Sequence, residues 1–271
     1  MNNMKQTQDD RTIQPFNCST IQRVKAYAFT LAETLIVIGI IGVVAALTLP
    51  NLNHATGDKE KITKINKIHS TLVEAFDRAE AIYGPVDEWF NDNMSQVDNM
   101  TKFGDRITEF MKIKKNCGGG EDENGACWTN TTTKFFNGQD FANFNEWEDY
   151  YKFVDSSGLA YAIPGWPSNS ELLFRIYVDI DGINKGPNTY AKDIFKYEVI
   201  KDANGLWQMV PAGAEIVGDE NALKGQYGFA KEGTSFTQWI IMGGTMDYLK
   251  ANSSGVCPNG TQLSWTQFSC N

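Results

Sequence analysis

The amino-acid sequence predicts an α+β fold in which a long N-terminal α-helix packs on an antiparallel β-sheet head with helical insertions. Two observations carry this prediction. An apolar run at 29–49 is followed by apolar residues at three- and four-residue steps, which is the helical period. Four later segments, beginning at 158, are rich in branched and aromatic residues, and Asn204-Gly205 between the last two is a strong hairpin signal.

The first element is the apolar run. Its 21 residues contain one charged side chain, Glu33. At about 1.5 Å per residue, a helix of this length reaches across the ~30 Å hydrocarbon core of a bilayer, so the run predicts a membrane-spanning first half at 29–50. A buried core helix, a conventional secretory signal and a plain single-span anchor are alternatives. None of them explains a carboxylate that is costly in hydrocarbon.

The residues around Glu33 resemble a known family. The stretch AFTLAE at 28–33 follows a leader that carries Lys and Arg and precedes about sixteen apolar residues. It is similar to the class III signal of type IV prepilins and type II secretion pseudopilins. The resemblance implies a pilin-like fold, cleavage by prepilin peptidase between Ala28 and Phe29, and methylation of the new N terminus. The family usually has Gly before the cut, where this chain has the small residue Ala28.

The same resemblance implies how the chain works. In that family, the freed amine of one subunit meets the glutamate of its neighbour during filament growth, so Glu33 would set the axial register. Pro50 falls where many pilins carry a helix-bending proline. The implied partners are the prepilin peptidase, other pilin or pseudopilin subunits, an inner-membrane assembly platform and membrane lipid. The implied location is a single pass in the inner (cytoplasmic) membrane, with the head periplasmic or extracellular, and the filament after assembly.

The remaining elements follow in chain order. Apolar residues from Ile62 to Ile82 lie on one helical face with lysines and acids on the others, and Gly84-Pro85 ends the pattern. The chain therefore divides into a cleaved leader at 1–28, the apolar helix at 29–50, an amphipathic continuation at 51–84 and a globular head at 85–271. In the head, the patterns predict helices at 100–115, 137–151 and 236–250, and strands within 158–166, 172–180, 193–200 and 205–213.

The charge balance bears on partners. The chain has 24 basic and 33 acidic residues. Four of the basic and two of the acidic residues lie in the leader, so the rest of the chain carries a net charge of −11. This acidity and the absence of a basic cluster with interleaved aromatic residues argue against a nucleic-acid partner.

Cysteines provide a second class of candidate residues. Cys18 lies in the leader, and the other four form an even set, which in an exported head indicates disulfides. Short loops favour the pairs Cys117–Cys127 and Cys257–Cys270. Free thiols and a zinc site are the alternatives, and zinc is disfavoured because there is no C-x-x-C pair and both histidines fall on the N-terminal helix.

The densest polar stretch of the head is YVDIDGINKGPNTYAKDIF at 177–195. Its oxygen-bearing side chains are candidate ligands for calcium, although the spacing differs from that of an EF-hand. The stretch also loosely resembles a loop of major pseudopilins where calcium binds. The alternative is a plain turn in which the acids cap backbone amides. The candidate ligands are Asp179, Asp181, Asn184 and Asp193.

The sequence offers no catalytic site. With both histidines on the N-terminal helix, a Ser-His-Asp or Cys-His arrangement cannot be built in the head. The resemblance at 28–33 implies a structural subunit, more typical of a minor one, in a type IV pilus or type II secretion pseudopilus. The alternatives are a membrane-anchored exported binding protein or adhesin with the same signal, and a secreted enzyme with a conventional signal.

Overall fold

The structure of the chain is a computed structural model. The chain divides into two compact units, Met1–Asn51 and Leu52–Asn271. Ala28 and Phe29, where cleavage is predicted, lie outside the described residues. The structure describes residues 30–90, 94–120, 125–146, 149–165 and 172–271, without the side chains of 45–56 and 172.

Helix α1 (Leu31–Tyr83) begins in the first unit. The prediction that its first half spans a membrane is wrong, and so is the predicted single pass through the inner membrane. In the part of the chain that the structure describes, no helix combines the length and the apolar character that a membrane span requires.

In the second unit, α1 buries one apolar stripe against the sheet. Ile65, Ile68, Leu72, Phe76 and Ala79 are each at most 1% exposed, and their three- and four-residue spacing puts them on one face. The helix ends at Tyr83, directly before Gly84 with its left-handed φ of 80° and Pro85. The side of the helix that faces the sheet is thus the apolar side that the sequence pattern predicts.

The head is an α+β structure built on a six-stranded antiparallel sheet. The strands are β1 (Ile113–Gly119), β2 (Thr133–Lys134), β3 (Asp140–Ala142), β4 (Tyr150–Asp155), β5 (Ala160–Pro164), β6 (Leu172–Asp179), β7 (Ile194–Lys201) and β8 (Trp207–Pro211). The strand order is β1-β4-β5-β6-β7-β8, so β1 and β8 are the two edges, and β2 and β3 form a separate pair. The sequence patterns predicted β5 to β8, and β1 to β4 were missed.

Both faces of the sheet are covered. Alternating residues such as Phe153, Tyr161 and Tyr197 face α1 and form the main core. The residues between them, including Tyr177, face a second cluster centred on Trp128. Because each face has its own core, the central strands are apolar on both sides, which explains their near-continuous hydrophobic sequence.

All three predicted helices of the head differ in the structure, and the one predicted at 236–250 ends at Gly243. Helix α2 (Gln96–Glu109) ends earlier than the predicted 100–115, because the chain from Ile113 enters β1 and pairs with β4. No helix occurs in the described part of 137–151, where β3 and the start of β4 lie instead. In both places strand pairing overrides a helix-like local pattern. The C-terminal helices are α3 (Glu220–Lys224) and α4 (Phe236–Gly243), and short 3₁₀ turns lie at Val86–Trp89, Ala214–Ile216 and Asp247–Leu249.

Candidate functional site

The first candidate site is the N-terminal end of α1. Thr30 precedes the helix and Glu33 is its third residue. The Thr30 backbone N–H and hydroxyl both donate to Glu33 Oε2 at 2.9 Å, and Glu33 N–H donates to Thr30 Oγ1 at 3.2 Å. These bonds form a capping box, which satisfies backbone groups that a helix start otherwise leaves free. They also hold the pKa of the Glu33 carboxyl below its usual value, with the Thr30 backbone bond as the largest cause.

An exposed apolar surface follows directly after this cap. We call residues 31–44 the apolar segment. Nine large aliphatic side chains lie on it, and their exposed fractions run from 53% at Val37 to 79% at Leu31. Gly39 and Gly42 have no atom within 4 Å of an added Cβ, so their surroundings are open as well. A surface of this size and character is unusual for a folded chain and marks a site of association. Pro50 lies in α1, and its side chain is outside the description.

The second candidate site is the turn between β6 and β7. Asp179 is fully buried, and its Oδ1 accepts the backbone N–H groups of Asp181 at 2.9 Å and Gly182 at 3.0 Å. Its Oδ2 is buried without a hydrogen-bond partner among the described residues. Burial, with a smaller contribution from the charge of Asp193, raises the pKa of Asp179 to about 7. This carboxyl is therefore close to half-protonated at neutral pH.

Asp193 closes the other end of the turn. Its Oδ2 accepts the Asn188 N–H at 2.6 Å and its Oδ1 accepts the Thr189 N–H at 2.7 Å. Burial also raises the pKa of Asp193, against the opposing effect of these two bonds. The bonds hold a tight bend that includes the left-handed residues Asn188 (φ 52°) and Ala191 (φ 62°). Both oxygens of Asp193 are thus committed to the backbone.

These residues do not fit a calcium site. Calcium takes six to eight oxygen ligands, and here three of the four carboxylate oxygens of Asp179 and Asp193 accept backbone amides. Asn184 lies exposed on the turn. Across the described ranges, no group of three or more acidic, His or Cys side chains is arranged to hold a metal ion. The geometry supports the plain-turn interpretation.

The turn is tied to α1 by two lysines that the sequence analysis did not single out. Lys61 Nζ donates to the Lys192 carbonyl at 2.7 Å, and Lys64 Nζ donates to the Ile180 carbonyl at 3.4 Å. Both bonds come from one side of the helix, and they reach the two ends of the turn. No sequence signal points to them, because the acceptors are main-chain atoms. The capping box, by contrast, has the recognisable spacing T-x-x-E.

The cysteines pair as the short-loop pattern suggests. Disulfides join Cys117 to Cys127 and Cys257 to Cys270, with sequence separations of 10 and 13. The first disulfide links β1 to the segment that covers the second face of the sheet. The second disulfide closes the C-terminal loop, where the Cys270 N–H also donates to Asp247 Oδ2 at 2.8 Å. Each bond fixes a region with little regular secondary structure.

Comparison of the chain with protein-family models, with curated protein sequences and with solved structures gave no match.

Proposed function

We propose that the chain is a structural subunit of a filament of the type IV pilus or type II secretion pseudopilus kind, and that copies associate through the apolar segment. The observation that carries the proposal is that all nine large aliphatic side chains of this segment are more than half exposed. Burying an aliphatic side chain contributes about 1.5–3 kcal/mol, so covering what is exposed here would contribute on the order of 10 kcal/mol before association costs. The signal-like sequence at 28–33 favours the same helix of other copies as the surface that covers the apolar segment.

The capping box refines the proposed role of Glu33. In a single subunit its carboxylate is already hydrogen-bonded by Thr30, so the charge is satisfied within its own helix. Cleavage before Phe29 keeps both residues and leaves the box in place. An incoming amine from a neighbouring subunit would then compete with Thr30 for the carboxylate. A short-range ion pair of this kind favours one axial offset over others.

Two measurements test the proposal. Intact-mass analysis of the protein recovered from cells should give a chain that starts at Phe29 and carries one methyl group. A chain that starts elsewhere would contradict processing by a prepilin peptidase and with it the filament proposal.

The second measurement is filament growth in a Glu33→Gln variant. A capping box accepts Gln in place of Glu, so this change keeps the helix start and removes only the charge. We expect shorter or fewer filaments by electron microscopy. The matched control is Thr30→Val, which weakens the cap and keeps the charge, and which should assemble. Normal filaments from the Glu33→Gln variant would show that the residue acts as a cap alone.

A further inference from the structure

An acidic groove runs along one flank of α1 in the head. It has a volume of about 640 Å³ and lies between the C-terminal part of α1 and strand β8. Its apolar lining includes Leu206, which is 63% exposed, and the partly buried Trp207. Three carboxylates line it and no Lys or Arg does, although Lys201 reaches the ring of Trp207 from outside at 5.1 Å. The carboxylates belong to Asp77, Glu80 and Asp87.

One carboxylate of the groove, Glu80, is perturbed by its surroundings. Burial raises the pKa of Glu80, and the charges of Asp77 and Asp87 raise it further. One oxygen of Glu80 accepts the Val86 N–H at 2.8 Å, which holds it at the groove wall. Asp77 and Asp87 are exposed. A cationic group placed between them would therefore relieve repulsion as well as add attraction.

The opposite edge of the same sheet is basic. Lys112, Lys114 and Lys115 lie at the start of β1, and all three are exposed. None of them is within ion-pair distance of a carboxylate of the described residues. Ile113, between Lys112 and Lys114, is partly buried, so this stretch carries three exposed cationic side chains and one apolar side chain. The β1–β4 pairing has two register irregularities, which disfavour the addition of another strand by a regular ladder.

We propose that the acidic groove beside β8 of one copy receives the basic β1 edge of the next copy. The inference rests on the proposed filament function and names the second contact that would join its heads. The carboxylates of the groove complement the lysines of the strand edge, and its apolar lining can receive Ile113. Because groove and edge lie at opposite edges of one sheet, each copy uses both surfaces, and the contact is heterologous and can repeat from copy to copy.

The whole-chain charge favours this occupant. At a net charge of −9, two copies repel unless a cationic surface of one faces an acidic surface of the other. The β1 edge is such a surface. Lysines on an edge strand also prevent edge-to-edge aggregation, and that role alone requires no acidic partner. The two roles differ in one measurable respect, namely whether an exchange of charges between the two surfaces restores association.

Zero-length cross-linking of the full-length chain tests the contact. A carbodiimide joins Lys to Asp or Glu only where the two are in contact. In a mixture of isotopically labelled and unlabelled copies, we expect mixed cross-links between the β1 peptide and peptides that contain Asp77 or Asp87. Lack of mixed cross-links between these surfaces would overturn the proposal.

A charge exchange supplies the second arm. The Lys114→Glu/Lys115→Glu variant should lower the mixed cross-link yield about tenfold, and Asp77→Lys/Asp87→Lys should do the same. The combined variant should recover most of the yield, while the control Lys224→Glu on α3 should leave it unchanged. If the combined variant does not recover, the contact is wrong. Electron microscopy of the same samples distinguishes the two proposals. Filaments that form without these cross-links would contradict this contact and would leave the proposed filament function unaffected.

Discussion

Replacement of Asp179 by Asn should stabilise the head increasingly as the pH rises. Asp179 Oδ1 accepts two backbone amides, and an Asn carbonyl oxygen can accept the same two bonds. The Asn amide group then replaces the buried Oδ2 that lacks a partner among the described residues. The substitution keeps the turn geometry and removes a charge that burial disfavours.

The magnitude follows from linkage between protonation and folding. The pKa of Asp179 rises from 3.8 to about 7 on folding, so the folded state holds this proton more tightly than the unfolded state does. The stabilising effect of the proton is complete below the unfolded pKa and is lost as the pH rises to about 7. At about 1.4 kcal/mol per pKa unit, the loss between pH 5 and pH 8 is at most about 3 kcal/mol. Relaxation around the charge reduces this, and we expect 1–3 kcal/mol.

The assay is denaturant unfolding of the wild type and the variant across this pH range, with chelator present. The difference in unfolding free energy between the two should grow from pH 5 to pH 8. Asp181→Asn is the matched control, because it removes a nearby carboxylate at a partly exposed position, and its curve should follow that of the wild type. A constant difference for Asp179→Asn would refute the assignment of a buried, strained carboxylate. In a parallel series with calcium in place of the chelator, a stabilisation of the wild type that the variant lacks would refute the plain-turn interpretation.

Three other outcomes can be measured by the same methods. Burial lowers the pKa of His69, so the neutral imidazole is favoured in the folded state. The stability that neutral His69 contributes is complete above about pH 6.5 and is lost as the pH falls. The His69→Phe variant should therefore lose less unfolding free energy than the wild type when the pH is lowered. Gly104→Ala should destabilise the head by about 1–3 kcal/mol, because an added Cβ would lie 2.5 Å from the ring of Tyr151. Replacement of Cys257 and Cys270 by Ser should lower the unfolding free energy by about 3 kcal/mol, since the 13-residue loop is no longer constrained in the unfolded chain. An unchanged melting temperature in the Gly104→Ala variant would contradict the packing, and one in the Cys→Ser variant would contradict the pairing.

Local patterns in the sequence predict the α+β class and the central strands well. The segments that became β5 to β8 are rich in branched and aromatic residues, and Asn204-Gly205 lies at the hairpin between β7 and β8. The buried stripe of α1 was visible as three- and four-residue spacing. These features depend on neighbours a few residues apart, which is the range that sequence patterns report.

The missed features depend on distant partners. Strand β1 contains three exposed Lys and Asn side chains and two glycines, and its extended form comes from pairing with β4 about 35 residues later. The helix predicted at 100–115 overlaps the start of β1. The prediction extended that far because Phe110 and Met111 continue the helical period, which strand pairing overrides. The membrane-span prediction was based on a count of apolar residues along the chain. Among the described residues, no helix has the length and the apolar character of a membrane span.

The candidate site was predicted only in part. The T-x-x-E spacing of Thr30 and Glu33 is a local signature, and the carboxylate's role as a cap can be derived from it. The acidic groove beside α1 cannot, since it brings together residues from the helix, from the turn after it and from β8. The calcium ligands were proposed from composition, and the structure shows three of the four carboxylate oxygens of Asp179 and Asp193 engaged with backbone amides.

The bonds from Lys61 and Lys64 end on main-chain carbonyls. These bonds depend on where the backbone carbonyls of Lys192 and Ile180 lie, and not on the side chains of these two residues. The exposed residues 184–186 can therefore be exchanged, for instance to carry an epitope or a fluorophore, without removing either acceptor. The chain thus offers an insertion point whose tolerance follows from the chemistry of its anchor.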